Sequence, residues 1–225
     1  MPFSVSERQI KSKIKSGDRV VVLENIKYPF FEDEKNKKLC DKMNAFYGGI
    51  AEKYSYYARK KLPKKLKPRL GYKPPETVSM SYTVSFINET IISIVLDLSF
   101  LSGKNCKTRR FSQMWSVEKR DIVPLGEVFD IGRQSRKRIY ALVLPELREN
   151  AENPDFGYYA DYLVRFNKSF DVRNSFAVPN GICFFINAGI LSPKKYGVNG
   201  FVLSYDKLSD ILKEGFKTKI GEKTP

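Results

Sequence analysis

The sequence has no histidine. That excludes a Ser-His-Asp triad, a Cys-His pair and any zinc site with an imidazole ligand. It also removes the commonest general base, so chemistry on carboxylates or lysine is the least expected function and the chain reads as a non-enzyme. Cysteine is scarce. Cys40, Cys106 and Cys183 lie more than sixty residues apart and form no Cys-x-x-Cys pair. Metal ligands would cluster, and a disulfide framework would have an even count. The three read as reduced, mostly buried thiols in a reducing compartment. No metal and no cofactor is expected.

Long apolar runs are missing too. Near the start, the longest aliphatic run is Val20 to Leu23, whereas a bilayer span needs about 20 apolar residues. Charges recur from Glu7 through Arg19, which leaves no apolar segment for a signal peptide. As written, the chain reads as soluble and cytoplasmic; an extracytoplasmic place would require an anchor ahead of it. Acid is in short supply, with 25 Asp and Glu against 40 Lys and Arg, for a formal charge of +15. Such an excess keeps a protein soluble and draws it towards polyanions. Hydrophobic residues make up 42% and aromatics 13%, enough to bury a core and to exclude wholesale disorder.

Residues 1–18 are polar and basic and read as a flexible tail. A first strand follows from Arg19 to Pro29. From Asn36 to Leu62, apolar residues at spacings of three and four predict one helix, ended by Pro63. Gly48-Gly49 within it predicts a kink or a close contact. Residues 63–75 read as a Pro- and Lys-rich connector. Then Val78, Met80, Tyr82, Val84 and Phe86 alternate with polar residues, as do Ile92, Ile94, Leu96, Leu98 and Phe100. A third run carries Phe111, Trp115 and Val117 on one side, with Phe111 and Trp115 read as core. Period-two alternation with short turns is an antiparallel meander with one buried face. Residues 134–151 have helical spacing interrupted by Pro145, predicting a kinked helix or two short ones. A further helix over 155–168, strands at 175–178, 182–186 and 201–205, and a short closing helix complete the reading. Residues 213–225 read as a frayed tail. Residues 19–212 are expected to form one compact unit, made of 19–117 (strand, helix and meander) and a C-terminal half, 118–212.

Three basic clusters stand out. Residues 53–75 hold nine basic side chains and no acid. Arg59, Lys60, Lys61, Lys64, Lys65, Lys67, Arg69 and Lys73 are the candidate polyanion contacts there, interleaved with Tyr54, Tyr56, Tyr57 and Tyr72. Lysine and arginine neutralise phosphates, and rings stack on bases. The plainer reading is a solvated helix end with the tyrosines in the core. A second cluster is Lys104, Lys107, Arg109 and Arg110. The third, Arg133, Arg136, Lys137 and Arg138, opens a helix, where positive charge opposes the dipole and so favours an anionic partner. Glu118, Asp121, Glu127 and Asp130 are close in sequence, and turns and caps account for them. Gly215 to Thr224 superficially resembles a phosphate loop but has the wrong spacing.

The second half has an order of its own. Trp115-Ser116-Val117 leads through Ile122-Val123-Pro124-Leu125-Gly126-Glu127-Val128-Phe129 into a helix. Later come Phe176-Ala177-Val178-Pro179-Asn180-Gly181-Ile182-Cys183-Phe184-Phe185-Ile186-Asn187, Pro193, Gly197 and Phe201 to Leu208. This pattern resembles the RsiV-like, DUF3298 family of bacterial domains. The loop with Pro193 and Gly197 and the ending Tyr205-Asp206-Lys207-Leu208 carry the likeness. Ile26 to Leu62 is similar to the DUF4163-like region often fused ahead of it. The resemblance implies an α+β fold, a bacterial source and sensing or appendage roles outside the cytoplasm, one of them binding lysozyme. It supplies no catalytic residue. The chain departs from the family in having Ser102-Gly103-Lys104-Asn105 where Gly-Gly-Ala-His is common. Its positive charge would also oppose an encounter with a basic lysozyme.

Together these readings give an α+β protein. An antiparallel β-meander packs against a long N-terminal helix, with a C-terminal half of helix plus strands. The expected function is a non-enzymatic bacterial binding or sensing module with a protein partner, read at the basic helix end and the loop 187–199. The alternative is a nucleic-acid or other polyanion-binding protein using the basic clusters.

Overall fold

The computed structural model describes residues 3–66, 74–103, 105–130 and 132–221. The chain divides into two compact units, residues 1–82 with 96–109, and residues 83–95 with 110–225. This division differs from the one read in the sequence, because it falls inside the strands of the meander.

In the first unit, β1 (Ser4–Ser16) and β2 (Arg19–Glu32) form a long antiparallel hairpin turned at Gly17, whose φ is +61°. Residues 4–16 are therefore a strand, not a tail. Ile10, Ser12 and Ile14 are half-buried, while Lys11, Lys13 and Lys15 between them are exposed. β1 stands at the edge of its sheet, and lysines on an edge strand discourage pairing with another chain. Along β2, Val22, Glu24 and Ile26 are buried on one face.

α1 (Lys37–Tyr56) buries Leu39, Cys40, Met43, Tyr47 and Ala51. Its Asn44 side chain accepts from the Phe31 N–H at 2.8 Å and donates to the Phe31 carbonyl at 2.9 Å. It thus stands in for a strand where β2 outruns its neighbour. The predicted close contact at the two helix glycines is absent. A Cβ at Gly48 or Gly49 would meet open space. Nor does Pro63 end the helix. A wide π-turn, Tyr57–Lys61, comes first, and the Leu62 N–H reaches back to the Tyr57 carbonyl. The wider turn makes room for a ring that would otherwise strike the carbonyl four residues earlier. α2 (Leu62–Lys65) then completes the helical segment.

β3 (Glu76–Ile87) pairs parallel to β2, with Val22 opposite Glu76 and Ile26 opposite Met80. β4 (Ile91–Ser102) and β5 (Asn105–Ser116) complete the predicted meander, and the sheet is mixed. Trp115 is buried, but Phe111 is 38% exposed. The two share a face of β5, and Trp115 stands at the end that pairs with Ile122 of β6 (Asp121–Ile122).

The second unit continues with α3 (Leu125–Val128), α4 (Arg133–Glu152) and α5 (Tyr162–Ser169). α4 is one helix of 20 residues with Pro145 inside it. Pro145 is exposed while Ile139, Val143 and Leu147 are buried, so the missing hydrogen bond lies on the wet side. β7 (Ser175–Val178), β8 (Gly181–Ile186) and β9 (Asn199–Ser204) form an antiparallel sheet. Gly181 is required, since a Cβ there would lie 2.1 Å from the Leu203 carbonyl oxygen. α6 (Tyr205–Leu208) opens on Ser204, whose Oγ accepts from the Lys207 N–H, and the Tyr205 hydroxyl donates to the Val178 carbonyl at 2.8 Å.

The predicted frayed tail holds α7 (Glu214–Ile220). Phe216 is buried, and the Lys219 carbonyl accepts from Asn88 Nδ2 at 2.8 Å and from the Thr90 hydroxyl. One anchoring aromatic and two side-chain hydrogen bonds order a segment whose composition is that of a loose end. The core of this unit gathers Ile139, Val143, Phe166, Phe184, Phe201 and their neighbours.

Candidate functional site

The third basic cluster becomes a site because of helical geometry. Arg133, Arg136, Lys137 and Tyr140 stand at i, i+3, i+4 and i+7 on α4, so they share one face. Opposite them, the end of α5 and the loop after it supply Asn167, Phe170, Asp171, Val172 and Arg173. These residues line an open groove of about 900 Å³. Arg133, Arg136 and Lys137 are exposed and form no ion pair with a described residue.

The floor is aromatic. Tyr140 lies 5.3 Å from Phe166 and 6.0 Å from Phe170, the latter edge to face. Phe166 and Phe170 are 4.8 Å apart. The Tyr140 hydroxyl donates to Asn167 Oδ1, which fixes the ring across the two helices. Tyr140 and Phe170 remain half-buried and face the groove.

Among the described residues, one carboxylate lines the groove. Asp171 accepts from Arg173 Nε at 2.8 Å and Nη2 at 2.5 Å, and from the Arg173 backbone N–H at 2.9 Å. The Arg173 side chain, foremost, holds the Asp171 carboxyl below the usual carboxylate range against the opposing effect of burial; Arg136 adds a smaller attraction. Arg173 itself is 77% exposed. Its fork is engaged by a carboxylate, which is the geometry of bidentate anion recognition.

The fourth cation predicted for this cluster lies elsewhere. Arg138 is one residue round the helix and pairs with Asp210 at 3.1 Å. The sequence grouped Arg133, Arg136, Lys137 and Arg138 by closeness along the chain. It missed Arg173, Asp171, Asn167, Phe170 and Tyr140. The usable signal was Asp171-Val172-Arg173 directly after a helix, a turn in which the aspartate binds the backbone two residues on.

The cluster at residues 59–73 has a different form. Arg59 donates from Nε to the buried Glu24 carboxylate at 2.9 Å, and Ser12 Oγ bonds the same oxygen. Lys61 lies over the Tyr56 ring at 5.9 Å and Lys65 over the Tyr57 ring at 5.4 Å. Lys60 and Lys64 are exposed. Tyr54 and Tyr57 pack against Val22, Ala58, Leu62 and Val78, whereas Tyr56 is 56% exposed. Lys67, Arg69 and Lys73, with Tyr72, lie outside the described residues, as does Lys104.

Three of the four acids pair with lysines that line one pocket together with Glu127. Glu127 pairs with Lys119 at 2.7 Å, Glu118 with Lys219 at 3.5 Å and Asp130 with Lys213 at 3.5 Å, while Asp121 accepts from the Ile122 N–H. Among the described residues, no group of three or more Cys, Asp or Glu is placed to hold a metal. Cys40, Cys106 and Cys183 are free thiols, and burial pushes the Cys183 thiol up to about 11. No described helix is long and apolar enough to cross a membrane.

No protein-family profile and no curated protein matches the sequence. Solved structures do match its fold. A DUF3298 family member from Bacteroides fragilis is similar over 98% of each chain, with a TM-score of 0.75 and 11% identity. A DUF3298 family protein from Pseudomonas aeruginosa is similar over 94% of this chain and 96% of its own, with a TM-score of 0.60 and 12% identity. The α+β architecture expected from the sequence is thus the one observed, and the fold is that of a DUF3298-type domain.

Proposed function

We propose that this chain is a non-enzymatic binding module of the DUF3298 family, of bacterial origin, and that it takes an anionic polymer in the groove of its second unit. One observation carries the reading: Arg133, Arg136, Lys137 and Arg173 surround a single groove in which, among the described residues, Asp171 is the only carboxylate. The overall charge of +15 steers polyanions towards it. Catalysis has little support here. The lining offers no histidine or cysteine, and its one acid is held by Arg173.

The test is a salt titration of the whole chain against labelled random single-stranded RNA and duplex DNA. Micromolar or tighter binding near physiological salt is expected, and the logarithm of the affinity should fall linearly with that of salt. The paired reversal Arg136→Glu and Lys137→Glu should weaken it by about 100-fold. No binding at low salt, or binding that the reversal does not weaken, would sink the proposal.

A further inference from the structure

We infer that the groove is built for a single-stranded nucleic acid, with phosphates on its cations and a base on its aromatic floor. This rests on the reading of the groove as a polyanion site and names the polymer.

The groove-lining side chains of α4 follow one order along the helix. At 1.5 Å per residue, Arg133 stands roughly 5 Å from Arg136 and Lys137, and these stand about as far again from Tyr140. The face therefore runs charge, charge, ring. Across the groove the other wall also supplies a ring and a cation, Phe170 and Arg173. A polymer of phosphates alone uses only the cations. It gains nothing from Tyr140 and Phe170, which would remain as apolar surface beside its charges. A strand whose backbone lies on Arg133, Arg136 and Lys137 can turn a base inward onto those rings. Stacking of this kind tolerates any base, because every base has a π-face. In a duplex the base faces are already covered by their neighbours, so a duplex can offer the groove phosphates but no ring.

The rings are also presented rigidly. Tyr140 is fixed by its hydrogen bond to Asn167 and by its edge-to-face contact with Phe170. Phe170 is in turn backed by Phe166 at 4.8 Å and Phe184 at 6.2 Å. A platform that does not have to be ordered on binding loses little entropy when a base lands on it. The groove is open rather than enclosed, as a polymer passing through it requires.

The experiment compares three labelled probes on the whole chain at one salt concentration: a short single-stranded RNA, an abasic strand of equal length and charge, and the duplex of the same sequence. The base-bearing single strand should bind about tenfold more tightly than the abasic strand, as one stacked base implies. A 2-aminopurine placed in the strand should lose fluorescence on binding. Tyr140→Leu should shrink the tenfold preference. Because Tyr140 also packs against Phe166, the aminopurine signal on the unmodified chain tests stacking without any substitution. Equal binding of base-bearing and abasic strands, tighter binding of the duplex, or unchanged aminopurine fluorescence would each overturn the inference and leave the polyanion reading standing. Failure of all three probes to bind would overturn both.

Discussion

The two described basic regions of helix in this protein differ less in charge than in what surrounds the charge. Residues 53–65 carry Lys53, Arg59, Lys60, Lys61, Lys64 and Lys65 in a short stretch. Yet Arg59 is turned onto Glu24, and Lys61 and Lys65 lie over neighbouring rings. The first turns of α4 carry fewer cations, but a second element comes up opposite them and brings another, Arg173. The first arrangement anchors a helix end to a sheet. The second encloses a volume. Density along the chain measures how much charge is present, while convergence from two elements decides whether a ligand can meet several charges at once.

Reversing charge in both places separates the two arrangements. Arg136→Glu with Lys137→Glu should weaken single-stranded RNA binding by about 100-fold, about 2.8 kcal/mol at 1.4 kcal/mol per tenfold. The salt dependence should flatten by about 1.4, from two lost phosphate contacts at about 0.7 each. Lys60→Glu with Lys64→Glu changes net charge equally and should cost under about threefold, a purely long-range effect. Equal losses from the two pairs would show that binding follows net charge rather than the groove, and the distinction drawn here would fail.

The second prediction concerns stability, where the first region should be the more sensitive. Glu24 is 1% exposed in a row with Val22 and Ile26, and one of its oxygens, Oε1, has no hydrogen-bond partner. Arg59→Ala would leave that carboxylate without its counter-charge. The cost should be about 2 kcal/mol, below the usual range for a broken buried pair because the Arg59 side chain is 46% exposed. Adding Glu24→Leu should restore most of the loss, since an apolar residue suits the row. Urea unfolding of the two variants measures both. An Arg59→Ala variant as stable as the parent would mean that the pair holds nothing in place.

A smaller effect is expected in α1. Gly48 and Gly49 sit mid-helix with open space where a Cβ would stand. Gly48→Ala should therefore stabilise by about 1 kcal/mol, through helix propensity alone. A thermal melt shifted downwards would show that the glycine is there for something the described residues do not contact.

These cases also show where the sequence was readable. Strands β3 to β5 were legible because one face is apolar and the alternation is strict, from Val78 to Phe86 and from Ile92 to Phe100. β1 was not, because both its edge and its outer face are wet. Only Ile10 and Ile14 mark its inner side, and lysines dominate the composition. α7 was hidden for the opposite reason, since a single aromatic, Phe216, anchors it within a charged segment. Half of the groove could be seen from the cations grouped at the start of α4. The other half comes from a loop whose return to that helix is set by the packing of Phe166 and Phe170, and no local pattern encodes such a meeting. Arg138 marks the limit of composition as a guide. It stands beside Lys137 in sequence and pairs with Asp210 in space.

The smallest predicted effect tests how the groove is set before a ligand arrives. Asp171 engages the Arg173 fork, so an incoming phosphate meets three unpaired cations and one already satisfied. Asp171→Asn keeps an Oδ1 acceptor for the Arg173 backbone N–H, and with it the turn, but removes the negative charge. RNA affinity should then rise by about threefold, and the salt slope should steepen by up to about 0.7 as Arg173 becomes available. The same release should follow from acid. The Asp171 carboxyl is held below its ordinary value in the folded protein, so the pair is intact at neutral pH and is lost only as pH falls through that lowered value. The gain from Asp171→Asn should therefore be constant from pH 6 to pH 8, where the parent carboxylate stays charged. Weaker binding by the variant would reverse the assignment: Asp171 would then be positioning Arg173 for the ligand rather than competing with it.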